Sequence, residues 1–347
     1  MDNLNELAPG PTRREDGRPP AVNVFDSIEA LYDPDRQAPA PLVLLPPALN
    51  PFPAEEKVRL YAKLMYLTPA LNLKGAPAFA MLGRARAEGR LAGTRRLVEA
   101  SSGNMALALA LQCRAFGVPR LRAHVPADLA FVKKELLHLL GVELHYCTDA
   151  PDEPTAIDQA RAEGAEPGSL NLGQYEHPAN PEAHARWTAP GLWDQTAGAL
   201  TVFCAGMGTT GTLVGAREAF RKLAPHVQVV GCLCAPGNAV PGVRSEQRLA
   251  QIRFAWREGV HRVEVATRES YKASLGLIRA GLLAGPSSGL ALQGLLHFLA
   301  DCRRDPARWQ RLRNDAGEIV AAFICGDTPH LYVDKYSTIL DAEDFDL

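Results

Sequence analysis

The sequence predicts an α/β fold with a mostly parallel sheet and helices on both of its faces. Short apolar runs that suit buried strands alternate with helical stretches along most of the 347 residues. Three polar loops, at residues 101–104, 206–212 and 285–289, each follow a predicted strand and precede a predicted helix. Because ligands of such folds bind at the carboxyl ends of strands, we expect these loops to converge on one site.

The composition is that of a globular protein, with 47% hydrophobic and 22% charged residues. A net charge of −2 gives no reason to expect nucleic acid or a membrane as a partner. The first twenty residues lack the apolar segment of a secretory signal, so we expect a cytoplasmic protein. Seven cysteines, several of them in apolar strand-like runs, predict reduced thiols. Cys232-x-Cys234 has no partner pair at zinc spacing, so no metal site is expected.

The chain begins with a segment rich in proline, glycine and charge. Residues 1–38 are therefore expected to form a partly disordered arm, with a short helix near residues 25–32. Strands are predicted next at residues 42–45 and 58–65.

Lys74 is the single charged residue between Leu64 and Gly83. Small residues follow it, and a helix is predicted to run to about Gly89. An apolar environment lowers the pKa of a lysine, which can turn it into a nucleophile. The alternative is a surface lysine that buries only its aliphatic stem. The remaining lysines lie beside charges or on polar helix faces.

The first polar loop combines hydroxyls, an amide and the N–H groups of a helix start. It is predicted to bind a carboxylate, although Ser102 or Asn104 could simply cap the helix. The elements predicted around it are strands at 97–100, 120–125 and 142–147, and helices at 105–116, 128–140 (capped by Asp128), 154–163 and 181–196 (capped by Asn180).

The second polar loop follows a buried strand predicted at residues 201–205. Gly206, Gly208 and Gly211 match a dinucleotide fingerprint, but the next strand, 227–234, ends without the acidic residue that binds a ribose. We therefore predict a cradle for one phosphate monoester, with a plain strand-to-helix turn as the alternative. The last predicted elements are a strand and polar loop at 282–289, strands at 260–266 and 319–325, and helices at 268–280 and 290–302.

Four motifs occur in an order that resembles the cysteine synthase and cystathionine β-synthase family of pyridoxal phosphate enzymes, fold type II. They are residues 99–104 (EASSGN), 174–181 (QYEHPANP), 206–212 (GMGTTGT) and 285–289 (GPSSG). The resemblance covers roughly residues 40–336 and implies two open, twisted, mostly parallel-sheet domains with the cofactor between them. It further implies a smaller domain at 67–178, a larger one at 39–66 plus 179–347, and a homodimer.

The resemblance also implies roles for individual residues. Lys74 would be the catalytic Schiff-base lysine. The cofactor pyridoxal 5'-phosphate would be bound by Lys74, Asn104, Gly208, Thr209, Thr210, Gly211, Thr212 and Ser287. The substrate would be bound by Ser101, Ser102, Gly103, Met105, Gln174 and Arg244.

The implied activity is β-replacement on a serine derivative, such as O-acetylserine or O-phosphoserine, through an aminoacrylate. The product would be L-cysteine or a related β-substituted alanine, so the partners are an amino acid and a small nucleophile. Three alternatives remain: β-elimination alone, a diaminopropionate-type synthase that uses an amine, and a non-catalytic binding homologue. Departures from the family pattern at Gly75-Ala76, Met105 and Thr210 affect the substrate side most. Arg244 would contact an anionic substrate, or it is a surface arginine.

Overall fold

A computed structural model describes residues 24–101, 103–148 and 153–346. Its strands are β1 (Leu42–Leu44), β2 (Val58–Leu64), β3 (Arg96–Ala100), β4 (Arg120–Pro126), β5 (Glu143–Cys147), β6 (Ser169–Asn171), β7 (Val202–Gly206), β8 (Gln228–Cys234), β9 (His261–Val265) and β10 (Ile319–Cys325). Its helices are α1 (Ile28–Tyr32), α2 (Gly75–Ala87), α3 (Asn104–Gln112), α4 (Phe131–Leu139), α5 (Ala156–Gly164), α6 (Ala179–Ala183), α7 (Ala189–Gln195), α8 (Gly211–Leu223), α9 (Glu246–Leu249), α10 (Thr267–Arg279), α11 (Pro286–Arg303), α12 (Pro306–Arg311) and α13 (Val333–Ile339).

The strands form two sheets. The larger has the order β1-β2-β10-β7-β8-β9 and is parallel except for β1, which runs antiparallel to β2. The smaller has the order β5-β4-β3-β6 and is parallel throughout. The predicted fold class, α/β with mostly parallel sheets, is confirmed. The predicted domain boundaries stay a prediction, and the arm before Val24 lies outside the described residues.

Parallel strands need cover on both faces, and β10 shows how the sequence meets that need. All seven of its residues are buried. Ile319, Ala321 and Phe323 join one apolar cluster with α11, while Ala322 and Ile324 join another with α8 on the opposite face. The core of the larger sheet therefore lies on both sides of β10. The smaller sheet packs its own cluster against α2, α3 and α4.

The strand predicted at residues 282–284 is wrong. These residues continue from α10 as a turn, in which the Leu282 N–H bonds the Leu277 carbonyl and the Ala284 N–H bonds the Leu282 carbonyl. The Gly285 N–H donates to the carbonyl of Asp327. The run is apolar, but the N–H groups of Leu282 and Ala284 are used in turns instead of a strand ladder.

Two predicted helix caps are also wrong. The N-cap of α4 is Ala130, not Asp128. The helix predicted from residue 181 begins at Ala179 instead and passes through a π-helical turn, His184–Thr188, before α7. Asn180 thus lies inside the first turn, and its side chain donates to Thr209 of the loop after β7.

Ser101, Met207 and Gly326 directly follow the carboxyl ends of β3, β7 and β10, respectively. The N–H of Leu73 donates to the carbonyl of Gly326, which fixes the start of α2 beside the end of β10. All seven cysteines are buried thiols, and none of them forms a disulfide. Within the described ranges, no helix combines the length and the apolar character that crossing a membrane would require.

Candidate active site

The loop between β7 and α8 packs so closely that it excludes side chains at its glycines. A Cβ at Gly208 would lie 2.3 Å from the Gly242 carbonyl oxygen, and one at Gly211 would lie 2.2 Å from Asn180 Oδ1. Thr210, which caps α8, has a left-handed backbone with φ of 65°. A β-branched residue rarely adopts this conformation, so the surrounding contacts must hold it there.

The three threonine hydroxyls of this loop are buried. Thr209 Oγ1 accepts from the Asn180 side chain at 3.1 Å, and Thr212 Oγ1 lies 3.3 Å from His184 Nε2. Thr210 Oγ1 has no hydrogen-bond partner among the described residues. The first N–H groups of α8 also have no intrahelical acceptors. An orphaned hydroxyl beside a helix start is a good fit to a phosphate group.

Lys74 lies at the start of α2, where it is half-buried. The backbone N–H of Lys74 donates a hydrogen bond to Asn72 Oδ1 at 2.8 Å. Burial lowers the pKa of its ammonium to about 8, and the negative charge of Asp327 opposes part of that shift. The apolar surroundings predicted from the sequence are therefore present, and the amine is neutral far more readily than that of a free lysine.

Asp327 is the centre of the second half of the site, and the sequence analysis missed it. It is 1% exposed. Its Oδ2 accepts from Asn104 Nδ2 at 2.7 Å and from the Tyr332 hydroxyl at 2.5 Å. Its Oδ1 accepts from Ser287 Oγ at 3.4 Å. One carboxylate therefore brings together Asn104 and Ser287, two residues predicted to hold the cofactor.

Asn104 Oδ1 is buried and has no partner within the described part of the chain. The amide is thus satisfied at its nitrogen but not at its oxygen. A buried acceptor of this kind is a place where a ligand is expected to bind. The ring side and the phosphate side of the predicted cofactor site therefore each contain one orphaned polar atom.

A second lysine, Lys133 of α4, reaches the same region. It is 4% exposed, and its ammonium lies 4.3 Å from the centre of the Tyr332 ring. A Cβ at Gly103 would lie 2.8 Å from Lys133 Cδ. Burial lowers the pKa of Lys133 to about 8, again opposed by Asp327. Lys133 was predicted, with the other lysines, to lie beside charges or on a polar helix face. It lies beside Lys134, but it shares the buried face of α4 with Leu137, four residues on.

The predicted carboxylate loop starts at Ser101, whose hydroxyl accepts from the N–H groups of Gly103 and Ala106 at 3.0 and 3.1 Å. Ser101 thus makes a capping contact with the start of α3. Ser102 itself lies outside the described residues. Gly103 has φ of 133°, and Met105 is buried in the first turn of α3.

Glu99 ties this loop to Gln174. The buried carboxylate accepts from the N–H groups of Ala100, Gly173 and Gln174 at 3.1, 3.0 and 3.4 Å. Gln174 Nε2 in turn donates to the Ala100 carbonyl at 2.6 Å. Burial raises the pKa of Glu99 to about 8, although the three donors oppose the shift. The two predicted substrate segments are therefore fixed to each other.

Arg244 is half-buried rather than free on the surface. Its guanidinium lies 4.7 Å from the centre of the Tyr175 ring, next to Gln174 in sequence. Its backbone N–H donates to the carbonyl of Met207, at the start of the phosphate loop. Arg244 therefore lies where the loop after β7 meets the segment of Gln174.

His184 contacts the phosphate loop, and it was not among the predicted site residues. The imidazole is fully buried, and both burial and the positive charge of Lys74 lower its pKa to about 3. It stays neutral and contacts Thr212 and Thr188. A signal was present in the sequence, since His184 is a lone histidine in a helical segment that follows the 174–181 motif.

The chain is similar to known proteins in both its sequence and its fold. A family model described as "Pyridoxal-phosphate dependent enzyme" matches residues 35–308. Cysteine synthase B of Pseudomonas aeruginosa is 33% identical over 254 residues, which are 72% of this chain and 84% of that protein. The N-(2-amino-2-carboxyethyl)-L-glutamate synthase of Ralstonia nicotianae is 31% identical over 282 residues, 76% of this chain and 81% of that protein.

A solved structure, the O-acetylserine dependent cystathionine beta-synthase from Helicobacter pylori, superposes with a TM-score of 0.71 at 22% identity. The match covers 90% of this chain and 98% of the other. At this identity the likeness concerns the fold.

Proposed function

Because the chain belongs to the pyridoxal-phosphate dependent enzymes of the cysteine synthase family, we propose that it catalyses β-replacement on a serine derivative, giving L-cysteine or a related β-substituted alanine. The cofactor is pyridoxal phosphate, and the fold is fold type II. The family assignment supports the reaction class, and the site supports the roles of individual residues.

One observation carries the proposal: Asp327 joins Asn104 and Ser287 next to Lys74, whose amine has a lowered pKa. In this proposal Lys74 would hold the carbonyl carbon of the cofactor, and Asn104 and Ser287 would hold its ring. The loop from Gly208 to Thr212 would hold the phosphate through N–H groups and the orphaned Thr210 hydroxyl. When bound, the cofactor accepts the electron pair that remains when the substrate loses its Cα proton.

The protein's own groups supply the proton transfers and the orientation. An amine with a pKa near 8 is suited to take a proton from Cα and to return it later at neutral pH. The leaving group departs from Cβ with its bonding pair, and the nucleophile then bonds to the same carbon. The loop held by Ser101, Glu99 and Gln174 would bind the substrate carboxylate through its N–H groups.

Arg244 favours an anionic second substrate or donor. A guanidinium stacked on Tyr175 is held in one orientation, and its N–H groups can donate to a carboxylate or phosphate. The name of the Ralstonia nicotianae relative describes a product in which a 2-amino-2-carboxyethyl group is attached to glutamate. An amino-acid nucleophile is therefore the first alternative to sulfide that we propose to test.

The test is product analysis with the cofactor-loaded protein. O-acetylserine and O-phosphoserine are each supplied alone, with sulfide, and with L-glutamate, and the products are identified by mass spectrometry. A substituted alanine that requires the nucleophile supports β-replacement. Pyruvate under every condition would indicate elimination alone, and no turnover with any pair would indicate a non-catalytic homologue. Lys74→Ala should abolish turnover, while Lys222→Ala, at an exposed lysine of α8, should not.

We also propose that the protein is cytoplasmic, as the sequence predicts, and a homodimer, as the family resemblance implies. Sedimentation velocity of the cofactor-loaded protein measures the second of these properties.

A further inference from the structure

A cluster of two histidines and a cysteine lies on the smaller sheet, on the face covered by α5. In the β4–β5 pair, His124 lies directly opposite His145, and Pro126 lies opposite Cys147. Residues two apart on a strand share a face, so the three side chains project to the same side. Their potential ligand atoms all lie within 4.8 Å of one another.

Two of these atoms already have the separation that a metal ion requires. His124 Nδ1 and Cys147 Sγ are 3.6 Å apart. Bonds of about 2.3 Å to sulfur and 2.0 Å to nitrogen, at the tetrahedral angle, place the two donors about 3.5 Å apart. A zinc ion between them would therefore need little movement of either side chain.

The other nitrogen of His124 has the partner that metal-binding histidines typically have. His124 Nε2 lies 2.8 Å from Glu163 Oε2, on α5. The other oxygen of Glu163 pairs with Arg122 at 2.9 Å and with Arg96 at 3.0 Å, which fixes the carboxylate. A carboxylate in this position selects the tautomer with the proton on Nε2, so the lone pair of Nδ1 points at Cys147.

The third potential ligand, His145, is exposed, so an ion can reach the cluster from solvent. Its ring centre is 4.5 Å from that of His124. Gln159 Oε1 lies 3.1 Å from His145 Nε2 and 3.5 Å from Cys147 Sγ, so an amide oxygen faces both. This oxygen, or a water, completes four-coordination.

We propose that His124, His145 and Cys147 bind a zinc ion, with Glu163 as the positioning residue. Nitrogen and sulfur ligands from histidine and cysteine are typical of zinc sites in proteins. The proposal is independent of the proposed β-replacement. It differs from the expectation of no metal site, which relied on spacing along the chain. Here the proposed ligands come from two strands that sheet register brings together.

The site would also stabilise the substrate loop. The carbonyl of His124 accepts the N–H of Ser101 at 2.9 Å. An ion that holds the His124 ring therefore also fixes the backbone on which the start of the loop rests.

The experiment is equilibrium dialysis of the cofactor-loaded, chelator-stripped full chain against Zn²⁺, followed by Co²⁺ substitution and visible spectroscopy. We expect a single zinc ion per chain and, with cobalt, the intense bands of a tetrahedral site with a thiolate ligand. His145→Gln and Cys147→Ser should each weaken binding by at least about 100-fold, and Glu163→Gln by about 10- to 100-fold.

His138→Gln, at an exposed histidine of α4, and Cys113→Ser, at a cysteine outside the cluster, are the matched controls and should bind like the parent. His145 is exposed, so its variant is expected to fold, and far-UV circular dichroism verifies this. A parent protein that binds no ion, or His145→Gln and Cys147→Ser variants that bind as tightly as the controls, would overturn the proposal.

Discussion

Replacing Lys133 with methionine should make the protein more stable at neutral pH. Lys133 is buried, and its pKa of about 8 is well below the 10.5 of a free lysine. A difference of about 2.5 units corresponds to about 3 kcal/mol at pH 7. The contacts that the ammonium loses, among them the one with the Tyr332 ring, offset about 1 kcal/mol. Lys133→Met should therefore raise the free energy of unfolding by about 2 kcal/mol at pH 7.

The sign of the pH dependence follows from the protons bound in each state. Between about pH 8 and 10.5 the unfolded chain keeps the Lys133 proton while the folded chain has lost it. The stability of the parent therefore rises with pH across this window, and the contribution of Lys133 to that rise is absent in Lys133→Met. The advantage of the variant should shrink steadily above pH 8 and be lost by about pH 10.5.

Urea unfolding of the parent and the variant at saturating cofactor, at pH 7 and at pH 10, measures both quantities. Lys134→Met, at the next residue of the same helix, should change stability by less than about 0.5 kcal/mol at either pH. A variant that is less stable than the parent at pH 7, or a difference that is the same at both pH values, would refute the reasoning. If Lys133 also contacts the substrate, Lys133→Met should raise the KM for the amino-acid donor as well as the free energy of unfolding.

Four further predictions address the rest of the site. Borohydride reduction of the cofactor-loaded protein should leave the pyridoxyl label on Lys74, and peptide mapping of Lys74→Arg should find none there. Thr210→Val should raise the cofactor's dissociation constant about tenfold, because a hydroxyl bond to phosphate is lost; fluorescence titration that finds less than a twofold change would exclude Thr210 from the phosphate site. Asp327→Asn removes the charge that raises the pKa of Lys74, so competitive acetylation of the apo-protein should show the amine titrating at lower pH, and an unchanged or higher pH would contradict this. Arg244→Met should raise the KM for L-glutamate about tenfold but leave the KM for sulfide unchanged, whereas equal effects on both would assign Arg244 a structural role.

Local patterns were sufficient for most of the strands, β6 excepted, and for the loop after β7. A continuous apolar run such as that of β10 has few alternatives to a central strand, and Gly208 and Gly211 lie where no side chain fits. The run at residues 282–284 is apolar too, but it makes turn hydrogen bonds. A short apolar run forms a strand only where a neighbouring strand is available to pair with it, and the local sequence does not show this.

The contacts of Asp327 could not be predicted from the sequence. Its partner Asn104 is 223 residues away, and no local feature marks an acidic residue after a strand as the meeting point of two loops. Lys133 could have been recognised, since it is four residues before the buried Leu137 on an amphipathic helix. The histidine–cysteine cluster required knowledge of strand register, which a single sequence does not contain.

The order of strands in the larger sheet has a consequence for folding. β10 lies between β2 and β7, with Ile319 paired to Val58 and Ala321 paired to Val202, although it is the last strand in the chain. During synthesis, the backbone groups of β2 and β7 that pair with β10 therefore stay unpaired until residues 319–325 leave the ribosome. Contacts between such distant segments form slowly, and unpaired edges favour association with other chains. Nascent chains that stop short of Ile319 should consequently be retained by chaperones, while chains extended past Cys325 can close the sheet.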